Sequence, residues 1–571
     1  MHDLVIRSAL IADGLGSPLI KGDLAVDDGR ISVIGHVAGP GTEEFDAAGQ
    51  VLAPGIVDLH THYDAQLLWD ATASPSPALG VTTVVIGNCG FGIVPAPPPM
   101  RDSILANLAE VEGMSLATLK QGVDWSFETF AQYLDTLRSK GTYPNVAALA
   151  SHATIRTAVM GEDASQREAT PEEVTAMVDI FRGAMDAGAV GFGSSTNENH
   201  RGAGGVPIAS RLASQNEFDA FADAMSDYEH GVFLITTGNH NRMDFMERFA
   251  ERSGKPSLYA AHFHYPQEPE RGRQLMLDAQ AARGRGNAVY TQGACHPLSL
   301  AFTLDAAYIL KAIPPWPASE DHGELRKILA DPAFRKAFRE TLATPAQGRV
   351  FAGRWEWVII TRPSAANADL AGRSVAEVAA ERGLDPLDFF LDLGLAENFE
   401  TFYTLFLLNI EQDGVAELIT NDGTLVSLSD AGAHNSLLCD AAYAMLFLSH
   451  WVRELKVFDL PTAIRKLTSD PANVYGLIDR GQLTVGSHAD MILFDPDTLT
   501  VTEMERHFDL PANGERLLRR APGLLGTWVN GVQVFDGEDY VSHAHGPGEI
   551  ISHFDPRRPT LGMQARPMAA E

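Results

Sequence analysis

Two histidines one residue apart, His60 and His62, close a short apolar run near the start of the chain. In an extended strand, residues i and i+2 project to the same side, so both imidazoles can reach one metal ion. Spacing alone does not decide the matter, because His262-Phe-His264 and His543-Ala-His545 repeat it. Context separates them: the first two pairs end β-like runs, whereas the third lies in an aperiodic stretch and reads as surface loop. Cys89 ends the run Val81-Thr-Thr-Val-Val-Ile-Gly-Asn-Cys89, and the flanking Asn88 and Gly90 signal a turn. It reads either as a small buried hydrophobe or, beside a cation, as a thiolate ligand. Asp430 follows Thr424-Leu-Val-Ser-Leu-Ser429 and precedes Ala431-Gly-Ala-His434. A carboxylate leaving an apolar strand is costly to bury unless it is paired, hydrogen-bonded or bound to a cation. A helix N-cap is one reading of it. Near a metal, the same group can take a proton from bound water and pass it to a leaving amine.

The elements that must hold these residues are β-rich runs alternating with longer helical stretches, the pattern of parallel α/β architecture. Eight such runs are readable: Val51–Leu59, Val81–Asn88, Val146–Ser151, Ala189–Ser194, Val232–Thr237, Ser257–Ala261, Ala288–Gln292 and Leu425–Ser429. Eight strands with intervening helices predict a (β/α)8 TIM barrel over residues 55–478, whose active site lies at the C-terminal strand ends. His60, His62, Cys89, His262 and Asp430 all fall at such ends, and their convergence weighs more than any single motif. The seventh and eighth runs are separated by an insertion at about residues 297–423, placed to shape a substrate pocket. The two ends of the chain share a different texture of short alternating runs and hairpin signals, Asp28-Gly29 and Asn530-Gly531. Residues 1–54 and 479–540 are therefore expected to meet in one small β-sandwich, followed by an irregular tail over 541–571.

Composition narrows the function classes. The chain has 571 residues, 45% of them hydrophobic, and a formal net charge of −31, so it is globular and would be repelled by phosphate backbones and anionic lipid. Nucleic acid and membrane are thereby excluded as expected partners, and a small molecule is favoured; a homo-oligomer stays open. No window approaches the roughly 18 apolar residues of a spanning helix, and the first residues lack a basic segment followed by an apolar one, so a cytoplasmic location is expected. Three cysteines are too few for a disulfide framework.

The stretch Leu52-Ala-Pro-Gly-Ile-Val-Asp-Leu-His-Thr-His-Tyr-Asp64, with Gly80-Val-Thr-Thr-Val-Val-Ile-Gly-Asn-Cys-Gly-Phe-Gly-Ile-Val-Pro95, resembles the amidohydrolase superfamily. Within it the likeness is to the D-aminoacylase (N-acyl-D-amino-acid deacylase) branch. It continues through Asn145–Arg156, Gly188–Ser195, Ser427–Gly432 and Gly481–Asp495. The resemblance implies a barrel with a β-sandwich from both termini and one or two zinc ions. It implies His60 and His62 as first-strand ligands, Cys89 as a thiolate ligand, His262 as the sixth-strand ligand and Asp430 as ligand and general base. The fifth strand departs from the family's His-x-Arg pattern: this chain reads Leu234-Ile-Thr-Thr-Gly-Asn-His-Asn-Arg242, so His240 is the candidate ligand there. Where the family carries a lysine two residues after the sixth-strand histidine, this chain carries His264. His152, Arg156, Asn199, His200, Arg201 and His264 are the candidate substrate-binding residues, with structural hydrogen bonding the alternative for each.

The implied reaction is hydrolysis of the amide of an N-acyl-D-amino acid. Zinc lowers the pKa of bound water from about 15.7 to roughly 7, and the hydroxide attacks the acyl carbonyl. The alternatives are hydrolysis of a cyclic amide or an amide-linked aromatic compound, and a barrel scaffold without catalysis. An anionic substrate adds a demand: Arg156, Arg201, Arg242 or the metal must locally reverse the protein's negative field.

Overall fold

The computed structural model describes residues 1–238, 242–317, 319, 321–344, 351–435, 438–556 and 561. Eight parallel strands, each from one of the predicted runs, form a single curled sheet: β1 (Ile56–Asp58), β2 (Val81–Ile86), β3 (Asn145–Ser151), β4 (Gly191–Ser195), β5 (Phe233–Thr236), β6 (Ser257–His262), β7 (Val289–Gly293) and β8 (Thr424–Val426). Each pairs with the next in chain order. Closure between β8 and β1 uses a side chain: Ser427 Oγ accepts from the Leu59 amide at 2.9 Å and donates to the Val57 carbonyl at 2.7 Å. One step further along, the Asp430 amide donates to the His60 carbonyl and the His62 amide to the Ala431 carbonyl, at 3.1 and 2.7 Å. The chain is thus an α/β barrel, and its closing seam runs directly into the residues of chemical interest.

The strands are Val-, Ile-, Leu- and Ala-rich because they are covered on both faces. Val57, Leu59, Val85, Leu149, Leu234, Leu258, Tyr290 and Leu425 share a buried cluster with Ile551 and Phe554. Those two come from the stretch predicted to be an irregular tail. Its described residues form no regular element, yet the Val146 amide donates to the Glu549 carbonyl and the Ile551 amide to the Val146 carbonyl, each at 2.8 Å, against the start of β3. Burying an Ile or Phe side chain is worth about 1.5–3 kcal/mol, which accounts for the order of an otherwise aperiodic segment.

A second β-rich region draws strands from both termini into one eight-stranded sheet. Its central contact is antiparallel, Val51–Pro54 against Met491–Phe494, with Leu52 opposite Leu493. Leu4, Ile6, Leu24, Leu52, Met491, Leu493 and Trp528 fill its core. The long connection between β7 and β8 folds as a unit of its own, Pro297–Gln412. It has a three-stranded antiparallel sheet and a separate core that includes Leu304, Phe338, Phe390 and Tyr403. No helix among the described residues is long and apolar enough to cross a membrane.

Candidate active site

At the C-terminal ends of the strands, three groups converge. One ligand-type atom from each of His60, His62 and Cys89 lies within 4.8 Å of the others, and all three residues are buried. His60 Nε2 is 3.3 Å from Cys89 Sγ. Asp430 closes the cluster from β8, with Oδ1 3.3 Å from His60 Nε2 and 3.4 Å from His62 Nε2. Its side chain is 30% exposed, against 2% for His60 and 3% for His62. The carboxylate therefore forms the open side of a cluster that is otherwise sealed.

Local structure fixes each direction. The Gln292 amide donates through Nε2 to the Ser427 carbonyl at 2.8 Å, so its Oε1 accepts from His60 Nδ1, also at 2.8 Å. That places the proton on Nδ1 and leaves the Nε2 lone pair facing Cys89 and Asp430. Cys89 sits in a turn at φ 54°, between Gly87 and Gly90 at φ 81° and 70°. A Cβ on Gly87 would stand 2.4 Å from the Leu149 carbonyl oxygen, and one on Gly90 2.9 Å from Ser194 Cα. Only glycine fits either place, and the tight turn delivers the thiol to the strand end. Thr236 Oγ1, at the end of β5, lies 3.0 Å from Cys89 Sγ.

Electrostatics divide the three cysteines. Burial by itself pushes the Cys89 thiol up, but His60 and His62 outweigh it and hold the group below its ordinary value. Burial pushes Cys295 up against a smaller opposing backbone hydrogen bond, and Cys439 up to about 11. Asp430 is also pushed up by burial, yet the hydrogen bond from His62 and the charge of His60 hold it well below the carboxylate range. Two borderline imidazole nitrogens, a soft thiol biased toward thiolate and a hard ionised carboxylate oxygen make a mixed N/S/O donor set in a buried cradle. They fit a zinc ion.

The structure does not gather every candidate. His262 ends β6, but its Nε2 donates to the Gly272 carbonyl at 2.8 Å, and burial pushes its imidazole down to about 4. It is not among the three clustered residues. His240 lies outside the described residues. His264 is buried and lines a separate cavity of about 200 Å³ with Pro269, Arg273, Asp413, Gly414, Glu417 and Leu418.

His152 and Arg156 are fully buried in a network with Glu217. His152 contacts Ser194 Oγ through Nδ1 and Glu217 Oε1 through Nε2, each at 2.8 Å, and Arg156 pairs with the other Glu217 oxygen. Neither offers surface to a ligand, so Arg156 does not supply the positive field an anionic substrate needs. His200 contacts Ser195 Oγ at 2.7 Å and packs on Phe91. Burial and the charges of His434 and His62 push it down to about 3, while Asp430 opposes them. Asn199 and Arg201 are exposed on the same loop.

Sequence reasoning missed Gln292, Thr236 and Glu112. Gln292 ends a predicted strand and Thr236 is the last residue but one of another, which is the one signal that pointed to them. Glu112 is 2% exposed at the end of helix α1 (Arg101–Glu112), with Oε1 3.3 Å from His62 Nδ1, and no spacing announced it.

Comparison with known proteins bears on this geometry. A model of the amidohydrolase family matches residues 43–294 and 334–535. The D-aminoacylase of Alcaligenes xylosoxydans xylosoxydans is 29% identical over 561 residues, spanning 95% of this chain and 96% of the relative. The N-acyl-D-aspartate deacylase of the same organism is 30% identical over 556 residues, spanning 97% of this chain and 95% of the relative. Among solved structures, the N-acyl-D-glutamate deacylase of Bordetella bronchiseptica, complexed with zinc and a phosphonate inhibitor, is similar at a TM-score of 0.66 and 25% identity. That match covers 97% of this chain and all of the other.

Proposed function

This chain belongs to the amidohydrolase family, and from that premise we propose that it deacylates N-acyl-D-amino acids with a zinc ion held by His60, His62 and Cys89. The observation that carries the reading is the approach of Asp430 Oδ1 to both histidine Nε2 atoms, at 3.3 and 3.4 Å, beside the thiol. Relatives named for removal of acyl groups from D-amino acids span nearly the whole chain, and a solved relative carries zinc, which supports both the substrate class and the metal.

Zinc in that cradle supplies Lewis acidity and a water that ionises near neutral pH. The chain's own groups do the rest. Gln292 holds the proton of His60 on Nδ1, so Nε2 stays a donor of electrons. Asp430, ionised at neutral pH, accepts the proton of the attacking water and then delivers it to the departing nitrogen, acting as base and acid in turn. Its partial exposure lets it meet substrate, whereas the buried His60 and His62 cannot.

A panel of N-acetyl-D- and N-acetyl-L-amino acids, assayed beside cyclic amides, tests the proposal. Turnover of D-amino-acid amides is expected, with loss of activity in His60→Ala. Turnover confined to cyclic amides would overturn the substrate class, and full activity in His60→Ala would overturn the metal role.

A further inference from the structure

The two histidines of the cluster are held from behind by different chemistry. Behind His60 stands a neutral amide, Gln292, at 2.8 Å. Behind His62 stands a carboxylate, Glu112, with Oε1 3.3 Å from Nδ1. His62 Nδ1 is buried and makes no hydrogen bond of ordinary geometry, so this carboxylate is the group positioned to satisfy it. Glu112 is itself 2% exposed. A carboxylate out of water without a cation or donor is costly by several kcal/mol, and a serviceable surface position was available one turn away, at the half-exposed Ala109. Its main chain is engaged as well: the Glu112 carbonyl accepts from the His434 amide, on the loop that carries Asp430. One residue therefore touches His62 with its side chain and the Asp430 loop with its backbone.

We propose that Glu112 is a positioning residue for the metal centre, acting through His62: its carboxylate holds the Nδ1 proton, turns Nε2 toward Cys89 and Asp430, and makes His62 the more electron-rich of the two imidazole donors. The inference rests on the reading of His60, His62 and Cys89 as metal ligands. A carboxylate behind a metal-bound imidazole raises its basicity more than an amide does, because the partial transfer of the Nδ1 proton to an anion is favourable. Replacing the side chain alone keeps the backbone contact to His434, which makes the carboxylate's part separable from the loop's.

The probe is zinc alone. Full-length protein stripped with a chelator is titrated with zinc against a competing chromophoric chelator, for the wild type, Glu112→Gln and Glu112→Asp. The melting temperature of each stripped protein is measured alongside. Glu112→Gln is expected to weaken zinc binding about 10- to 100-fold, with Glu112→Asp recovering most of the loss because it keeps the charge. Wild-type zinc affinity in Glu112→Gln would overturn the proposal, as would equal weakening in both variants, which marks a merely structural role. If Glu112→Gln does not fold, Glu112→Asp decides: affinity within threefold of wild type supports the proposal, and a larger loss overturns it. A wild-type protein that binds no zinc is a different result, because it removes the ligand reading on which the proposal stands.

Discussion

Cys89 and Asp430 follow the C-terminal ends of the two strands that flank β1, and both hold the same rare backbone conformation, φ 54° and 50°. Left-handed backbone at a residue other than glycine costs of order 1–2 kcal/mol. Here it accompanies the approach of both side chains to His60 Nε2, Cys89 Sγ at 3.3 Å and Asp430 Oδ1 at 3.3 Å. Strain of this kind persists where the surroundings over-determine it, and the closing seam of the barrel does so through Ser427 and the amides of Asp430 and His62.

Asp430→Asn is the cleanest probe of that conformation's purpose, because asparagine tolerates left-handed backbone and keeps the shape. The variant is expected to lose about 10²- to 10⁴-fold in kcat, with its melting temperature within about 2 °C of the wild type. Steady-state kinetics with a D-amino-acid amide and a thermal melt check this together. Undiminished kcat would remove Asp430 from the chemistry.

The thiols make a second prediction. Cys89 is the one cysteine held below its ordinary value, whereas burial pushes Cys295 and Cys439 up. The thiolate is the reactive form. Iodoacetamide at pH 7.5 should therefore modify metal-stripped protein at Cys89 first, and zinc should protect it. Peptide mass spectrometry reads the site; labelling of Cys295 ahead of Cys89 would contradict the account.

Beneath the mouth, His152, Arg156 and Glu217 form a buried network that should govern acid stability. His152 is held below its ordinary value because burial outweighs the help of Glu217. Glu217 is pushed up by burial but held below its ordinary value by His152 and Arg156. Both groups thus bind protons more tightly unfolded than folded. Their stabilisation is present above the unfolded histidine value of about 6.5; the His152 part is lost as pH falls from there through its lower folded value, and the Glu217 part as pH falls from the unfolded carboxylate value of about 4.3 through its lower folded value. Urea unfolding at pH 7.5 and 5 should show the decline. Glu217→Gln should cost about 3–5 kcal/mol at pH 7.5, since it strands a buried guanidinium; a loss under about 1 kcal/mol would show the network to be incidental.

The seam gives a prediction about stability alone. Ser427→Ala strands the Leu59 amide and the Val57 carbonyl, at roughly 1–3 kcal/mol for each buried group. Denaturant unfolding should register the loss, and an unchanged midpoint would mean that water or a neighbour replaces the hydroxyl.

Much of the fold was legible because parallel strands covered on both faces write themselves as short apolar runs, and all eight barrel strands arise from such runs. Residues at the ends of those runs, His60, His62, Cys89 and Asp430, inherit their placement from the barrel. What sequence could not give is pairing across helices and loops. Glu112 reaches His62 from the end of a helix, and Glu217 reaches His152 and Arg156 from another, with no period to betray either contact. His262 shows the limit from the other side: it ends its strand as expected, yet a backbone carbonyl, Gly272, holds its Nε2. The tail was read as irregular because it lacks periodicity, while Ile551 and Phe554 are fixed by a core that only the closed barrel creates.

The most direct test of the central claim is a crystal structure of zinc-loaded protein with anomalous data collected on both sides of the zinc edge. The account predicts a peak bonded to the Nε2 atoms of His60 and His62 and to Cys89 Sγ, at roughly 2.0–2.1 Å from nitrogen and 2.3 Å from sulfur. A zinc-saturated crystal with no anomalous peak among these three residues would contradict it.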